Sequence, residues 1–423
     1  MVTLLFLAIF LTYLDRQALS VAAPTICKEL HFSEVDYSRI IMAFLLAYMI
    51  MQVLAGWLID RVGVRVGFIL AMVLWAFSMI GHAFARGVRS FAVFRFLLGI
   101  AEAGNFPAGI RAVSEWFPAS ERSGATGIFS GGSGLGAIAA PFLVAWLIPR
   151  YGWQSAFLVV GGLGLLWLVP WFLFYFEPAK HPRLGKDEFL YIRQGQENPD
   201  ASEPATRQKA RWIEILKRRD FWGIFLGRFL TDPVWWFYVF WLPKYLSTAR
   251  GFDLKQLAMF AWLPFLGSGI FSALGGFIPT FFIKRGMPVL TARKLAMCIS
   301  ASVMPVALLA AWTPNPYLAV FFITIATSGH PSWAASLLTL PTDLFPKHQV
   351  ASTYGLTGAG GTLGGILMSW LAGSILEKHG YTPILILMGS LHVIAALIVL
   401  IMVRQKKDSS LLVPSSLKGE VKI

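Results

Sequence analysis

The sequence predicts an all-α integral membrane protein whose twelve transmembrane helices form two six-helix, pseudo-symmetric halves. Three observations carry this. Of the 423 residues 56% are hydrophobic and 14% charged, against about a quarter charged in soluble domains, and the mean hydropathy is +0.64. Apolar runs of about 20 residues, enough to span a bilayer, recur near 2–26, 38–59, 64–84, 89–112, 125–149, 153–176, 220–246, 256–283, 290–312, 316–340, 353–376 and 381–404. One long polar stretch, 177–219, divides them six from six, as expected of homologous halves around a central cavity.

The first run lacks a basic n-region and a small-residue cleavage site and is too long for a signal peptide, so it reads as a retained helix. An even number of crossings puts both termini on one side. If that side is cytoplasmic, 24 of the 36 Lys and Arg residues fall in inner loops and tail and 9 in outer loops, which satisfies the positive-inside rule. The net charge of +14 is then topological and does not call for nucleic acid. The expected plan is an N-terminal half (1–176), a cytoplasmic linker (177–219), a C-terminal half (220–404) and a cytoplasmic tail (405–423), in the cytoplasmic membrane. Within the linker, KDEFLYIRQG can form a short amphipathic surface helix. Cys27 and Cys298 lack metal-ligand spacing and read as buried free thiols.

Charges inside crossings mark function, because each costs about 2.5–3.5 kcal/mol at mid-membrane depth. Asp15 and Arg16 sit side by side in the middle of the first run. Adjacent helical residues project about 100° apart, so they cannot simply neutralise each other. The arginine fork suits a carboxylate, which makes Arg16 the first choice for binding an anion and Asp15 a second proton site or the tuner of Arg16. Crossing four holds Arg95 and Glu102, seven apart and so on one face. Glu102, flanked by Gly99 and Gly104, is expected to load and unload a proton. The structural alternative pairs it with Arg95.

Tyr48 and Gln52 in crossing two, at i and i+4, are candidates to line the same cavity. Crossing seven pairs Arg228 with Asp232 four residues on, beside Pro233 and Pro243. Of its aromatic run, Trp236 and Tyr238 are candidate substrate contacts, whereas Trp241 reads as an interfacial belt residue. His330, Ser332, Trp333 and Ser336 in crossing ten are further cavity candidates, with Trp333 and Ser336 assigned to substrate. The glycines of 355–365 and of Ser130–Gly136 are expected mainly to pack helices. No nucleophile–base set, metal cluster or nucleotide motif points to an enzyme.

Between crossings two and three, GWLIDRVGVRVGF carries Gly56, Asp60, Arg61, Gly63 and Arg65. This resembles the G-x-L-a-D-r-x-G-r-k loop of the major facilitator superfamily, where the acid and arginines latch the cytoplasmic face. The second half keeps Gly276, Arg285 and Gly286 without an acid. YLDRQALSVAAP, RFLLGIAEAGNFPAG, SEWFPASERSGATGIF and FLTDPVWWFYVFWLPKYL extend the likeness over the whole chain. They are similar to the anion:cation symporter family of that superfamily, above all to its hexuronate (galacturonate and glucuronate) transporters.

The resemblance implies the major facilitator fold. It also implies proton coupling and substrate binding at Asp15, Arg16 and Glu102, with Tyr48 matching a tyrosine of the site. The expected function is proton-coupled import of a small anionic sugar acid by alternating access. Protons are then the coupling ion, no other cofactor is needed, and a monomer works in membrane lipid. The alternatives are import of another organic anion (aldonate, aldarate or aromatic carboxylate) or export of lipophilic cations.

Overall fold

The computed structural model describes residues 1–118, 121–193 and 212–404, without the side chains of 56, 57, 60, 123, 193, 273, 274, 347, 348 and 351. The described elements are all helical, and they account for the twelve crossings. Crossing one is Val2–Glu29. Crossings two and three form one helical stretch, Glu34–His82, broken at Gly63. Crossing four is split into Val88–Glu102 and Asn105–Trp116. Crossings five and six are Arg122–Tyr151 and Gln154–Phe174. In the second half, crossing seven is Arg219–Thr248 and crossing eight is Leu254–Phe260 plus Leu263–Lys284. Crossing nine is Val289–Trp312 and crossing ten is Pro316–Leu337 plus Leu340–Leu344. Crossings eleven and twelve are Lys347–His379 and Thr382–Met402.

The two halves repeat each other at their turns. His31 and Gly251 follow crossings one and seven with φ of 54° and 72°. Each is followed by a phenylalanine and a capping box, Ser33 with Asp36 and Asp253 with Gln256. Gly63 and Gly286 (φ 76° and 87°) turn the chain from two to three and from eight to nine. Gly152 and Gly380 (φ 79° and 69°) do so after five and eleven. A left-handed backbone at these points is what ends one helix and aims the next.

Crossings four, eight, nine and ten are broken, and each break lies beside a proline. Pro107, Pro264, Pro305 and Pro341 lack the N–H that the carbonyls of Ala103, Phe260, Ala301 and Leu337 would take four residues earlier. The helix stops, or tightens to a 3-10 turn at Met304–Val306, near that carbonyl. In crossing four the break falls directly after Glu102.

Glycines let the helices close up, as expected. A Cβ at Gly132 or Gly136 of crossing five would lie 2.4 or 2.2 Å from the Phe6 or Phe10 carbonyl oxygen of crossing one. Gly364 of crossing eleven stands in the same relation to the Phe229 oxygen of crossing seven, at 2.1 Å. Crossing two packs on four and crossing eight on ten in the same way. The SGGSGLG run is thus a packing surface.

The halves are joined at the face opposite the termini. Lys244 at the end of crossing seven bonds Glu34 at the start of crossing two (2.6 Å). Gln17 donates to the Val239 carbonyl (3.2 Å), and Ser20 and Tyr37 both donate to that of Phe240 (3.0 and 2.7 Å). Pro243 explains the first of these bonds, because it leaves the Val239 carbonyl without its helical donor. Trp241 lies here too, almost wholly buried and edge-on to Tyr37. Its expected place in a lipid-facing belt is therefore corrected: it seals the contact between halves.

The start of the linker forms the helix Lys186–Arg193, with Leu190 and Tyr191 exposed and Ile192 buried. The remaining linker (194–211) and the tail (405–423) lie outside the described residues. Cys27 is buried, Cys298 partly so, and both are free thiols.

Candidate functional site

Arg16 stands at the middle of Val2–Glu29, so the four charges around it meet at mid-membrane depth. All four are buried, and they pair crosswise. The Arg16 Nε donates to Glu102 Oε2 at 2.6 Å, with side chains 5% and 0% exposed. Arg95 Nη1 lies 3.7 Å from Asp15 Oδ1, and the Trp75 indole N–H donates to the other Asp15 oxygen. Arg95 therefore serves Asp15, and the alternative Arg95–Glu102 pair along crossing four is not formed. Two arginines and two acids make up the cluster, which is formally neutral when all four are ionised. Breaking a buried pair by removing one partner costs about 3–5 kcal/mol, which ties the four groups together.

Three acceptor oxygens in this cluster have no hydrogen-bond partner among the described residues: Glu102 Oε1, Asp15 Oδ1 and the Asn105 side-chain oxygen. The three Arg95 nitrogens are in the same condition. Asn105, just beyond the helix break, gives its amide N–H to Thr12 (2.9 Å).

Rings enclose the Arg16 guanidinium. Its central carbon lies 4.9 Å from the Tyr13 ring centroid, 5.6 Å from Phe44, 5.3 Å from Tyr48 and 5.4 Å from Trp236. Cation–π contact of this kind contributes about 0.5–2 kcal/mol per ring and fixes the fork's direction. Trp236 reaches across from the other half, stacked on Phe240 and edge-on to Tyr48. Tyr48 and Trp236, two of the candidate substrate contacts, thus both stand beside Arg16.

Other candidates are placed elsewhere. Tyr238, two residues on from Trp236 and so about 200° around the helix, is buried in the core against Phe237. Trp333 is fully buried with Leu337, Met297 and Ile224, edge-on to His392. The Ser336 hydroxyl is wholly buried and has no hydrogen-bond partner among the described residues. These three belong to the helix packing of the second half and not to the Arg16 cluster. His330 stacks on Trp235 and shares a 3.1 Å contact with His392, while Ser332 bonds Ser300 at 2.7 Å.

Arg228 and Asp232 form the expected i, i+4 pair at 3.0 Å, and Gln52 meets crossing eleven at Thr362 (3.5 Å). In the two–three loop, the Gly56 and Asp60 side positions lie outside the described side chains. Arg61 is exposed, and Gly63 makes the turn. Arg65 donates to the Phe172 carbonyl (3.0 Å) and covers the Phe176 ring at 4.2 Å. It therefore ties crossing three to the end of crossing six.

Sequence reasoning missed Tyr13, Gln17, Phe44, Trp75 and Asn105. Tyr13 had a signal, since it stands three residues before Arg16 on the same helical face. Gln17 had another, as a third polar residue in the same apolar run. Trp75 had none, because an indole N–H in an apolar crossing reads like any other core side chain.

Residues 5–292 and 290–418 match the Major Facilitator Superfamily. The chain is 36% identical over 407 residues to the hexuronate transporter of Escherichia coli (strain K12), covering 96% of this chain and 94% of the relative. It is 42% identical over 305 residues to the galacturonate transporter of Dickeya chrysanthemi, covering 72% and 88%. In fold it superposes on a bacterial homologue of the human lysosomal transporter Spinster, in an inward-facing and occupied conformation. The TM-score there is 0.70, with 18% identity over 95% of this chain and 94% of that one. The twelve-crossing fold, the repeat of its turns and these matches agree, and the chain belongs to the major facilitator superfamily, a family of multi-pass membrane transporters and not of enzymes.

Proposed function

We propose that the protein is a proton-coupled symporter that imports hexuronate-type sugar acids by alternating access. It works as a monomer in the cytoplasmic membrane with both termini inside, and protons are its coupling ion. The observation that carries this reading is the Arg16–Glu102 pair at 2.6 Å, buried and ringed by Tyr13, Tyr48 and Trp236. A guanidinium held by one carboxylate can instead be held by another, and the exchange is favoured when the first is protonated. Proton binding at Glu102 then raises the affinity of Arg16 for an anion, and anion binding raises the affinity of Glu102 for a proton, by the same factor.

Charge balance supports the same coupling. The Asp15, Arg16, Arg95 and Glu102 set is formally neutral, so one added anion calls for one added proton to keep it so. Asp15, held by Arg95 and Trp75, is a second proton site that acts through the orientation of this cluster. Trp236 and Tyr48 present ring faces suited to the apolar side of a sugar ring. Relatives named for hexuronate and galacturonate transport support the choice of anion. Another organic anion, such as an aldonate, would use the same fork.

Proteoliposome uptake tests the reading. Glu102→Gln is expected to abolish accumulation driven by an imposed pH gradient while retaining counterflow exchange of galacturonate. Normal gradient-driven accumulation by that variant would sink the coupling role. A competition panel in which aldonates or aromatic acids outcompete both hexuronates would replace the substrate.

A further inference from the structure

Crossing seven presents Arg228, Asp232 and Trp236 on one face, each four residues from the next. Crossing eleven answers with bare glycines. A Cβ at Gly358 would lie 3.0 Å from an Arg228 terminal nitrogen and 3.3 Å from both amide atoms of Gln52. One at Gly361 would lie 2.0 Å from Asp232 Oδ2, and one at Gly365 would lie 2.7 Å from Trp236. The glycines thus cradle a polar cluster to which both halves contribute, since Gln52 comes from crossing two. Thr362 adds its hydroxyl 3.5 Å from the Gln52 amide oxygen.

Two features separate this cluster from a merely structural ion pair. Its charges are partly open, with the Asp232 side chain 20% exposed where that of Glu102 is 0%. It also lies one helical turn, along crossings two and seven, from two of the rings that flank Arg16. Gln52 is one helical turn from Tyr48 and Asp232 one turn from Trp236, so on both crossings the step is about 6 Å. That is the span of a sugar ring.

The geometry points to Gln52, Arg228 and Asp232 as a second subsite that reads the hydroxyl groups of the sugar acid whose carboxylate Arg16 holds. This rests on the sugar-acid reading above. A carboxylate accepts from two neighbouring hydroxyls, a guanidinium donates to them, and the Gln52 amide does both. Trp236 and Tyr48 hold the ring between the two ends. The subsite sets specificity, because an acid without hydroxyls leaves these groups unmatched.

The test is transport by purified wild type, Asp232→Asn, Arg228→Lys and Gln52→Leu in proteoliposomes. KM and kcat are measured for galacturonate and glucuronate, together with competition by cyclohexanecarboxylate, a ring acid without hydroxyls. The variants are expected to raise KM for the uronates by about tenfold, with kcat and competition by cyclohexanecarboxylate within about twofold of wild type. Equal weakening towards all three acids, or an unchanged KM, would overturn the subsite. Gln52→Leu leaves the ion pair intact, so a poorly folded Asp232 variant does not decide the outcome. A wild type that binds neither uronate would defeat the sugar-acid reading and this inference with it. Wild-type binding with unaltered discrimination in the variants would defeat the subsite alone.

Discussion

The two halves share a backbone plan and differ in what they bury on it. Counted back from the matched turns at His31 and Gly251, Asp15 and Arg16 fall at the places of Trp235 and Trp236. Glu102 and His330 each stand fourteen residues after the first residue of their helix, Val88 and Pro316. The first half therefore places two acids and an arginine where the second places two tryptophans and a histidine, and Arg95, seven residues after Val88, stands where the second half has Ile323. Buried charge must find an opposite charge, and the crossed pairs are the result. The second half meets its burial with stacked rings and a His330–His392 contact. The first half thus buries crossed ion pairs at mid-depth, and the second sets rings against them. Arg16 and Trp236, the matched positions, touch across the interface.

This contrast can be broken by experiment. The largest expected effect is loss of gradient-driven accumulation in Glu102→Gln, set against its retention in His330→Asn. Equal loss in both would erase the distinction between halves. Next, Gly136→Ala should abolish folded protein in detergent, because its Cβ would meet the Phe10 carbonyl at 2.2 Å and two backbones would have to separate. Gly276→Ala, with nothing within 4 Å, should express and run as a single size-exclusion peak like wild type.

Trp236→Ala should then lower galacturonate affinity about tenfold, and Trp236→Phe much less, since a ring face is retained against Arg16. Isothermal titration would read both, and identical losses would assign the effect to the indole N–H. Smallest is Lys244→Met. It removes the 2.6 Å bridge to Glu34 and raises labelling of a cysteine placed at Ser38. Unchanged labelling would show that the proline-freed carbonyl bonds alone keep that face shut.

Much of the fold was legible because membrane crossing is a local requirement. Nine of the crossings among the described residues stand out by length and hydropathy alone. The three that fall short are four, seven and ten, the crossings that carry Arg95 and Glu102, Arg228 and Asp232, and His330 with Ser332 and Ser336. Polar residues aimed inward depress the hydropathy of the helices that need them. Arg16, Glu102, Tyr48 and Trp236, which the structure brings together, stood out for the same reason, as costly or ring-bearing residues at mid-depth. Tyr238, Trp333 and Ser336 were misplaced because composition does not say which side of a helix faces the centre. Trp241 was misplaced because an aromatic residue near a helix end looks alike facing lipid or facing the other half.

By itself the sequence determined that this chain crosses a membrane twelve times in two matched halves, with charge at the middle of the first. Those facts follow from the cost of exposing polar groups to hydrocarbon, which acts residue by residue. Only the tertiary structure decided that Arg16 is held by Glu102 and Asp15 by Arg95 and Trp75. It also decided which glycines make room for which side chains, and that Trp241 seals the halves. Pairing depends on how helices far apart in sequence rotate against one another, and no local pattern carries that angle.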